Sequence, residues 1–187
     1  QALDFGCGNG VFTEVLRQAL PPGWSVFGLD FSAQAVEHAK KRYPLCRFYL
    51  PGSREFAGEK FDFIFTHHVL EHVYDLEAAL SEICLLARDR AAVLHVLPCG
   101  NSGSLEYRIC SWRRDGIDAE LENRYFFEDE GHVRRLNSDE LTRRMADRRF
   151  VLKSEYYSGQ FFGALQWLSL SDWGFLRRLG DASPAVS

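Results

Sequence analysis

Three clusters in this chain carry residue types that bind ligands or move protons. The first is Asp4-Phe5-Gly6-Cys7-Gly8-Asn9-Gly10, an acid followed by glycines at alternate positions. Glycine lets a loop turn tightly and brings backbone N–H groups close to a ligand. The second is Asp30, which closes the apolar run 25–30 and stands beside Phe31. The third is Thr66-His67-His68-Val69-Leu70-Glu71-His72. Imidazoles titrate near neutral pH and so suit proton transfer. If the segment turns helically, His68, Glu71 and His72 share one face.

The glycine loop narrows the ligand. It reads G-x-G-x-G, and Val11 stands where the dinucleotide fingerprint requires its last glycine. An ATP-binding loop needs Gly-Lys-Ser/Thr, and no lysine is near. A carboxylate at Asp4, just before the loop, repels a pyrophosphate and suits a ligand with an ammonium group and no phosphate. S-adenosylmethionine is such a ligand. In a doubly wound fold an acid at the place of Asp30 accepts both ribose hydroxyls, a role NAD and S-adenosylmethionine share. Phe31 is placed to lie against adenine. The alternative is an ordinary strand-to-helix turn with solvated acids.

These residues need a scaffold that brings strand ends together. Short apolar runs at 2–5, 25–30, 46–50, 61–66 and 91–97 alternate with helical patterns at 10–20, 32–43 and 75–87. Val11, Val15 and Ala19 fall on one face of the first helix, and Ser32 is the predicted N-cap of the second. Such alternation predicts a doubly wound α/β fold with a mostly parallel sheet. From Pro98 the pattern changes. Residues 99–136 are charged and aromatic with weak periodicity, as in a lid-like insertion. A helix is expected at 138–148 with Ser138 as N-cap, a sixth strand at 150–158, an apolar helix at 161–179 and a loose tail at 181–187. The organisation expected is one domain over 1–180. The chain starts at Gln1 in mid-strand and its one methionine is Met145, so the expectation is a fragment lacking an N-terminal helix.

The segments LDFGCGNG, GLDFS and FDFIFTHHVLEHV, in this order, resemble class I S-adenosylmethionine-dependent methyltransferases. The likeness is to the subgroup of ubiquinone-biosynthesis O-methyltransferases and sugar or natural-product methyltransferases. It covers residues 2–98 well and 131–157 more loosely. The resemblance implies a seven-stranded-type, Rossmann-like sheet and S-adenosylmethionine as cofactor. It also implies that Asp4, Gly6 and Gly8 surround the methionine part, with Cys7 in the same cofactor-binding loop, that Asp30 takes the ribose, and that Thr66 and His67 border the methionine end. Such enzymes often carry an acid after the third strand that meets the adenine amino group. Here the stretch is LPGSREF, so Ser53 or Glu55 would substitute.

Three readings compete for the histidine cluster. His68 or His72 acts as general base toward an acceptor hydroxyl. Alternatively His68, Glu71 and His72 hold a divalent metal, as in some ubiquinone-type relatives, although the favoured assignment names no metal ligand. In the third, Glu71 and His72 cap the loop. His132, in a glycine-histidine segment before the next helix, is a further base or substrate contact, against loop packing. Arg134 and Arg135 either meet an anionic group on the acceptor or form a solvated charge set. Glu106, Tyr107, Tyr125 and Phe126 are candidates for the acceptor pocket. His38 and His95 read as structural.

Composition sets the outer limits. The chain is 46% hydrophobic and 26% charged with net charge −4, which fits a globular protein without general affinity for nucleic acid. Five scattered cysteines without a CxxC pair read as reduced thiols, hence a cytoplasmic protein. The stretch 161–170 is too short to span a bilayer; it reads as a core or dimer-facing helix, leaving a homodimer or membrane-surface contact open. The expected activity is methyl transfer to a small-molecule acceptor, oxygen being the favoured atom. A non-catalytic cofactor-binding subunit and an NAD-dependent oxidoreductase are the other readings.

Overall fold

Apolar runs such as Ala2–Phe5 and Val26–Leu29 are buried at every position. A parallel sheet covered on both faces satisfies such strands. The computed structural model describes residues 1–112, 116–125 and 131–158. Its contacts fall into two compact units, Gln1–Leu97 and Pro98–Ser187.

In the first unit, β1 (Ala2–Phe5), α1 (Val11–Ala19), β2 (Val26–Leu29), α2 (Ala33–Arg42) and β3 (Arg47–Tyr49) are followed by β4 (Phe61–His67), α3 (Leu76–Leu86) and β5 (Ala87–Val96). The sheet order is β3-β2-β1-β4-β5 and every pairing is parallel. This is the doubly wound α/β arrangement expected. The chain walks outward from β1 to β3 and then returns to place β4 on the other side of β1. That reversal leaves a crevice at the carboxyl ends of β1 and β4, where open α/β sheets take ligands. All three clusters, at Asp4–Gly10, Asp30 and Thr66–His72, lie at or just past strand ends on this edge.

Local chemistry sets the helix limits. Ser32 caps α2 by accepting from Ala35 N, and Lys40, Lys41 and Arg42 fill its last turn, where cations favour the helix dipole. α1 stops at Leu20 before Pro21, as a residue preceding proline must leave the helical region. Val11 and Val15, the predicted stripe on α1, are each 52% exposed, while Thr13 is the buried residue of that helix. β5 starts earlier than its apolar run. Ala87 pairs with Phe61 and Ala92 with Phe63, so residues 88–91, which include the charged Arg88, Asp89 and Arg90, bulge out of the ladder, with Arg90 at φ 65°.

The second unit contains α4 (Leu105–Ser111), an antiparallel pair β6 (Ile117–Asp118) and β7 (Arg124–Tyr125), and α5 (Ser138–Ala146). Asn137, not Ser138, caps α5, accepting from Glu140 N at 2.7 Å. Ser138 is otherwise engaged: its N–H donates to Asn101 Oδ1 at 2.8 Å. The sixth strand expected at 150–158 does not form; residues 151–158 are exposed throughout, and Tyr157 instead hydrogen-bonds Asn101 and Ser138 through its hydroxyl. The expected helix 161–179 and tail 181–187 lie outside the described residues. No helix of the described residues is long and apolar enough to cross a membrane.

Gly10 is a crowded backbone position in the first unit's glycine loop. It sits at φ 81° as the N-cap of α1, and a Cβ there would lie 2.8 Å from the Phe48 ring and 2.9 Å from Ala39 Cβ. Gly8 is left-handed too, at φ 50°, but a Cβ there meets nothing within 4 Å. Left-handed backbone costs a residue with a Cβ about 1–2 kcal/mol, and overpacking adds about 1–3 kcal/mol. Gly10→Ala is therefore expected to lower stability by about 3 kcal/mol and Gly8→Ala by about 1 kcal/mol. Urea unfolding of the two variants checks this, and equal losses would refute the steric account.

Candidate functional site

The glycine loop is tied to the end of β2. Gly6 N and Cys7 N both donate to Leu29 O, at 2.8 and 3.0 Å. Gly8 N donates to Asp30 Oδ2 at 2.7 Å, and Ser32 N donates to Asp30 Oδ1 at 2.9 Å. Asp30 thus orders two turns at once. Each of its oxygens retains acceptor capacity. Gly6, at φ 79°, has no room for a side chain, since a Cβ would fall 2.5 Å from Val69 Cγ2. The loop is therefore pressed against the segment that follows β4.

Behind the loop, Asp4 is 1% exposed and accepts the Thr13 hydroxyl at 2.6 Å. Burial pushes its carboxyl up to about 6, the Asp30 charge adds to the rise, and the Thr13 hydrogen bond opposes it. Cys7 lies in a buried cluster with Val36, Ala39, Cys46 and Phe48, and burial raises its thiol well above the ordinary range. Its side chain belongs to the core. No disulfide joins any of the five cysteines.

A cavity of about 490 Å³ opens at the switch point, within the range of small-molecule sites. Gly6, Asp30 and Phe31 line one side, and Pro51 extends it. His68, Val69 and His72 line the end after β4. The remaining wall is one face of α3, with Asp75, Ala78, Ala79 and Glu82 at helical spacing. Phe31 is 77% exposed, which leaves an aromatic face beside the carboxylate of Asp30.

The histidines take different roles. His68 is the first residue past β4 and has φ 53°, an uncommon backbone state for a residue with a side chain. Its N–H donates to Val96 O at 2.9 Å, and its Nδ1 lies 2.7 Å from Glu71 Oε1. Glu71 is 1% exposed and its other oxygen, Oε2, is buried with no hydrogen-bond partner among the described residues. The segment is a turn rather than a helix, closed by His72 N donating to Val69 O at 3.0 Å. His67 packs on the α1 side, stacked on Phe12 with ring centres 3.9 Å apart, and burial with the neighbouring His68 lowers its pKa. Thr66 is buried and hydrogen-bonds His95 Nδ1 at 2.8 Å. His95 is pushed down to about 4 by burial and stays neutral, a structural histidine, although its Nε2 is buried without a partner among the described residues.

Of the residues predicted from sequence, Gly6, Asp30, Phe31, His68 and His72 line the cavity. Asp4, Cys7, Gly8, Thr66 and His67 are not part of its lining. Ser53 lies in the turn after β3, with its hydroxyl buried and without a partner among the described residues. His132 lies in the second unit, half-buried, ahead of a buried run. That run corrects one expectation: Arg134 and Arg135 are each 5% exposed, neither solvated nor open to an anionic ligand. Arg134 pairs with Glu122 at 2.9 Å. Arg135 pairs with Glu106 at 3.3 Å, donates to Cys99 O at 3.0 Å, and lies 3.8 Å over the Tyr125 ring. Tyr107 meets Tyr125 edge to face at 6.1 Å, so these residues build the unit's interior. Phe126 lies outside the described residues. Sequence reasoning missed the α3 wall; the small pair Ala78-Ala79 between two acids was its only signal.

Comparison with known proteins places these features in a lineage. A family model described as a methyltransferase domain matches residues 1–155. The chain is 30% identical over 117 residues to the malonyl-(acyl-carrier protein) O-methyltransferase of Pectobacterium atrosepticum, covering 61% of this chain and 44% of that protein. It is 35% identical over 85 residues to the ubiquinone biosynthesis O-methyltransferase of Pelagibacter ubique, covering 43% of this chain and 34% of that protein. The chain thus spans less than half the length of these curated relatives. Among solved structures, the YcgJ protein of Bacillus subtilis matches with TM-score 0.57 at 17% identity, covering 95% of this chain and 80% of that one, a likeness of fold.

The buried Asp4 has a measurable cost. Folded Asp4 keeps its proton up to about pH 6, whereas an unfolded aspartate loses it near its ordinary value of 3.8. Folding stability from this group is therefore highest in acid, falls as pH rises from about 4 to about 6, and is level above. Asp4→Asn is expected to stabilise the protein at pH 7.5 by about 2–3 kcal/mol and to make little difference at pH 4. Urea midpoints of variant and parent at the two pH values test this; a difference independent of pH would refute it.

Proposed function

The chain belongs to the methyltransferase domain family, and from that premise we propose that it binds S-adenosylmethionine and transfers the methyl group to an oxygen of a small acceptor. A sugar, a phenol or a natural-product intermediate is the class envisaged. The observation that carries the reading is the His68–Glu71 pair, which lies at the end of the cavity that Asp30 and the glycine loop border. The preference for oxygen draws on the two O-methyltransferases among the relatives.

The residues fit the cofactor. When bound, S-adenosylmethionine supplies an electrophilic methyl on a sulfonium. Asp30, held by two backbone N–H groups, has acceptor capacity left for ribose hydroxyls. Gly8, with open space where a Cβ would stand, lets the backbone approach. Thr66 and His67 border the methionine end, where Asp4 adds negative potential. Phe31 offers an aromatic face to adenine, and the buried Ser53 hydroxyl a hydrogen bond near it.

His68 acts on the acceptor. With Glu71 ionised, a carboxylate only accepts, so His68 Nδ1 carries the hydrogen and donates to Glu71 Oε1. Nε2 is then free to take the proton of the acceptor hydroxyl. Glu71 holds the ring in place and stabilises the imidazolium that results. His72, on the same cavity, is the second candidate for that proton. The larger contribution comes from holding the two reactants in line, the proximity term common to displacement reactions.

His68→Ala is expected to lower turnover by about 10²–10⁴-fold while changing affinity for S-adenosylhomocysteine little. Calorimetry with S-adenosylhomocysteine and with NAD, followed by turnover on an acceptor panel with and without chelator, tests the proposal. Binding of NAD alone would overturn it. Binding of S-adenosylhomocysteine with no turnover on any acceptor would replace transfer by a cofactor-binding role, and a chelator-sensitive rate would bring in a metal.

A further inference from the structure

The wall of the cavity formed by α3 carries a carboxylate that the proposed reaction does not use. Three aspartate or glutamate side chains line the cavity: Asp30, Asp75 and Glu82. Asp30 is committed to Gly8 N and Ser32 N, and Asp75 caps α3 by accepting from Ala78 N at 2.9 Å. Glu82 has no hydrogen-bond or ion-pair partner among the described residues. It is only partly exposed, and burial alone raises its pKa. A carboxylate that gives up water without gaining a partner costs free energy, and a ligand that donates to it recovers that cost.

The surroundings specify the donor. Neither lysine nor arginine is among the described residues lining the cavity, so an anionic ligand group finds no counter-charge beside Glu82. Leu29, Phe31, Pro51 and Ala79 line the same cavity, apolar walls that suit a flat ring. Glu82 lies seven residues along α3 from Asp75, about 10 Å down the helix axis, away from the His68–His72 end. A ligand whose ribose meets Asp30 and whose reacting end meets His68 has its base left for this far end.

We infer that Glu82 accepts a hydrogen bond from the exocyclic amino group of the cofactor's adenine, so that this group is read from α3. The inference rests on the cofactor reading above. It assigns Glu82 to base discrimination and gives it no part in proton transfer.

The main test is calorimetric and needs no turnover. The probes are S-adenosylhomocysteine and its 6-deamino analogue, in which hydrogen replaces the amino group. The parent protein is expected to prefer the adenine form by about tenfold. Glu82→Leu is expected to lose that preference, weakening S-adenosylhomocysteine by about tenfold while leaving the analogue unchanged. Glu82→Gln keeps an acceptor oxygen and is expected to retain most of the preference. Urea midpoints confirm that each variant is folded. Equal binding of both probes by the parent, or an equal loss of both in Glu82→Leu, overturns the role of Glu82 and leaves the cofactor reading standing. So does a variant with unchanged probe binding whose KM rises only for amine-bearing acceptors, which would assign the carboxylate to the acceptor. A parent that binds neither probe overturns both readings.

Discussion

The site depends on one constraint, the strapping of the glycine loop onto the end of β2. Three consecutive N–H groups, from Gly6, Cys7 and Gly8, go to Leu29 O and to the Asp30 carboxylate. Without them the loop would be a flexible stretch with three left-handed glycines, Gly6, Gly8 and Gly10, and a large entropy to lose. With them, the start of α1, the end of β2 and the N-cap of α2 become one rigid edge. The carboxylate that accepts Gly8 N also accepts Ser32 N, so the loop cannot shift without disturbing the second helix. A ligand arriving there meets groups already in place, and association loses less freedom than it would against a loose loop.

The opposite side of the crevice is held by different means. His68 occupies a left-handed backbone state, kept there by its N–H bond to Val96 O and its side-chain bond to Glu71. Such a state persists where the surroundings over-determine it. The parallel register of β4 and β5, with His67 opposite Val96, supplies the backbone half of that determination. The bulge at 88–91 belongs to the same strand pair: it absorbs the extra residues at the start of β5, so that the end of the ladder meets His68 in register.

Much of this was legible in the sequence because it rests on local rules. The strands at 2–5, 25–30 and 61–66 are apolar runs that end in chemistry-bearing residues, and Ser32 announces its helix by capping it. What was not legible depends on partners distant in sequence. The sequence ends the helix at 87 and begins the strand at 91, yet Ala87 already pairs with Phe61. Asn137 and Ser138 are equally good caps in isolation; the choice is made by Asn101, which accepts the Ser138 N–H. Arg134 and Arg135 look like a surface pair until Glu122, Glu106 and Tyr125 are seen around them. Glu82 sits in a helix whose pattern suggests only packing, and its place on a cavity follows from the walls contributed by Leu29, Phe31 and Pro51.

The Thr13-bound Asp4 also enters the proton accounting of ligand capture. A carboxyl that titrates near pH 6 is partly protonated in mildly acidic solution. A cation brought against the neighbouring loop favours its charged form. Ligand capture in that range would expel a fraction of a proton into the solvent, so apparent affinity would weaken as the medium acidifies. The heat exchanged would then differ between buffers, because each takes up the released proton with its own enthalpy.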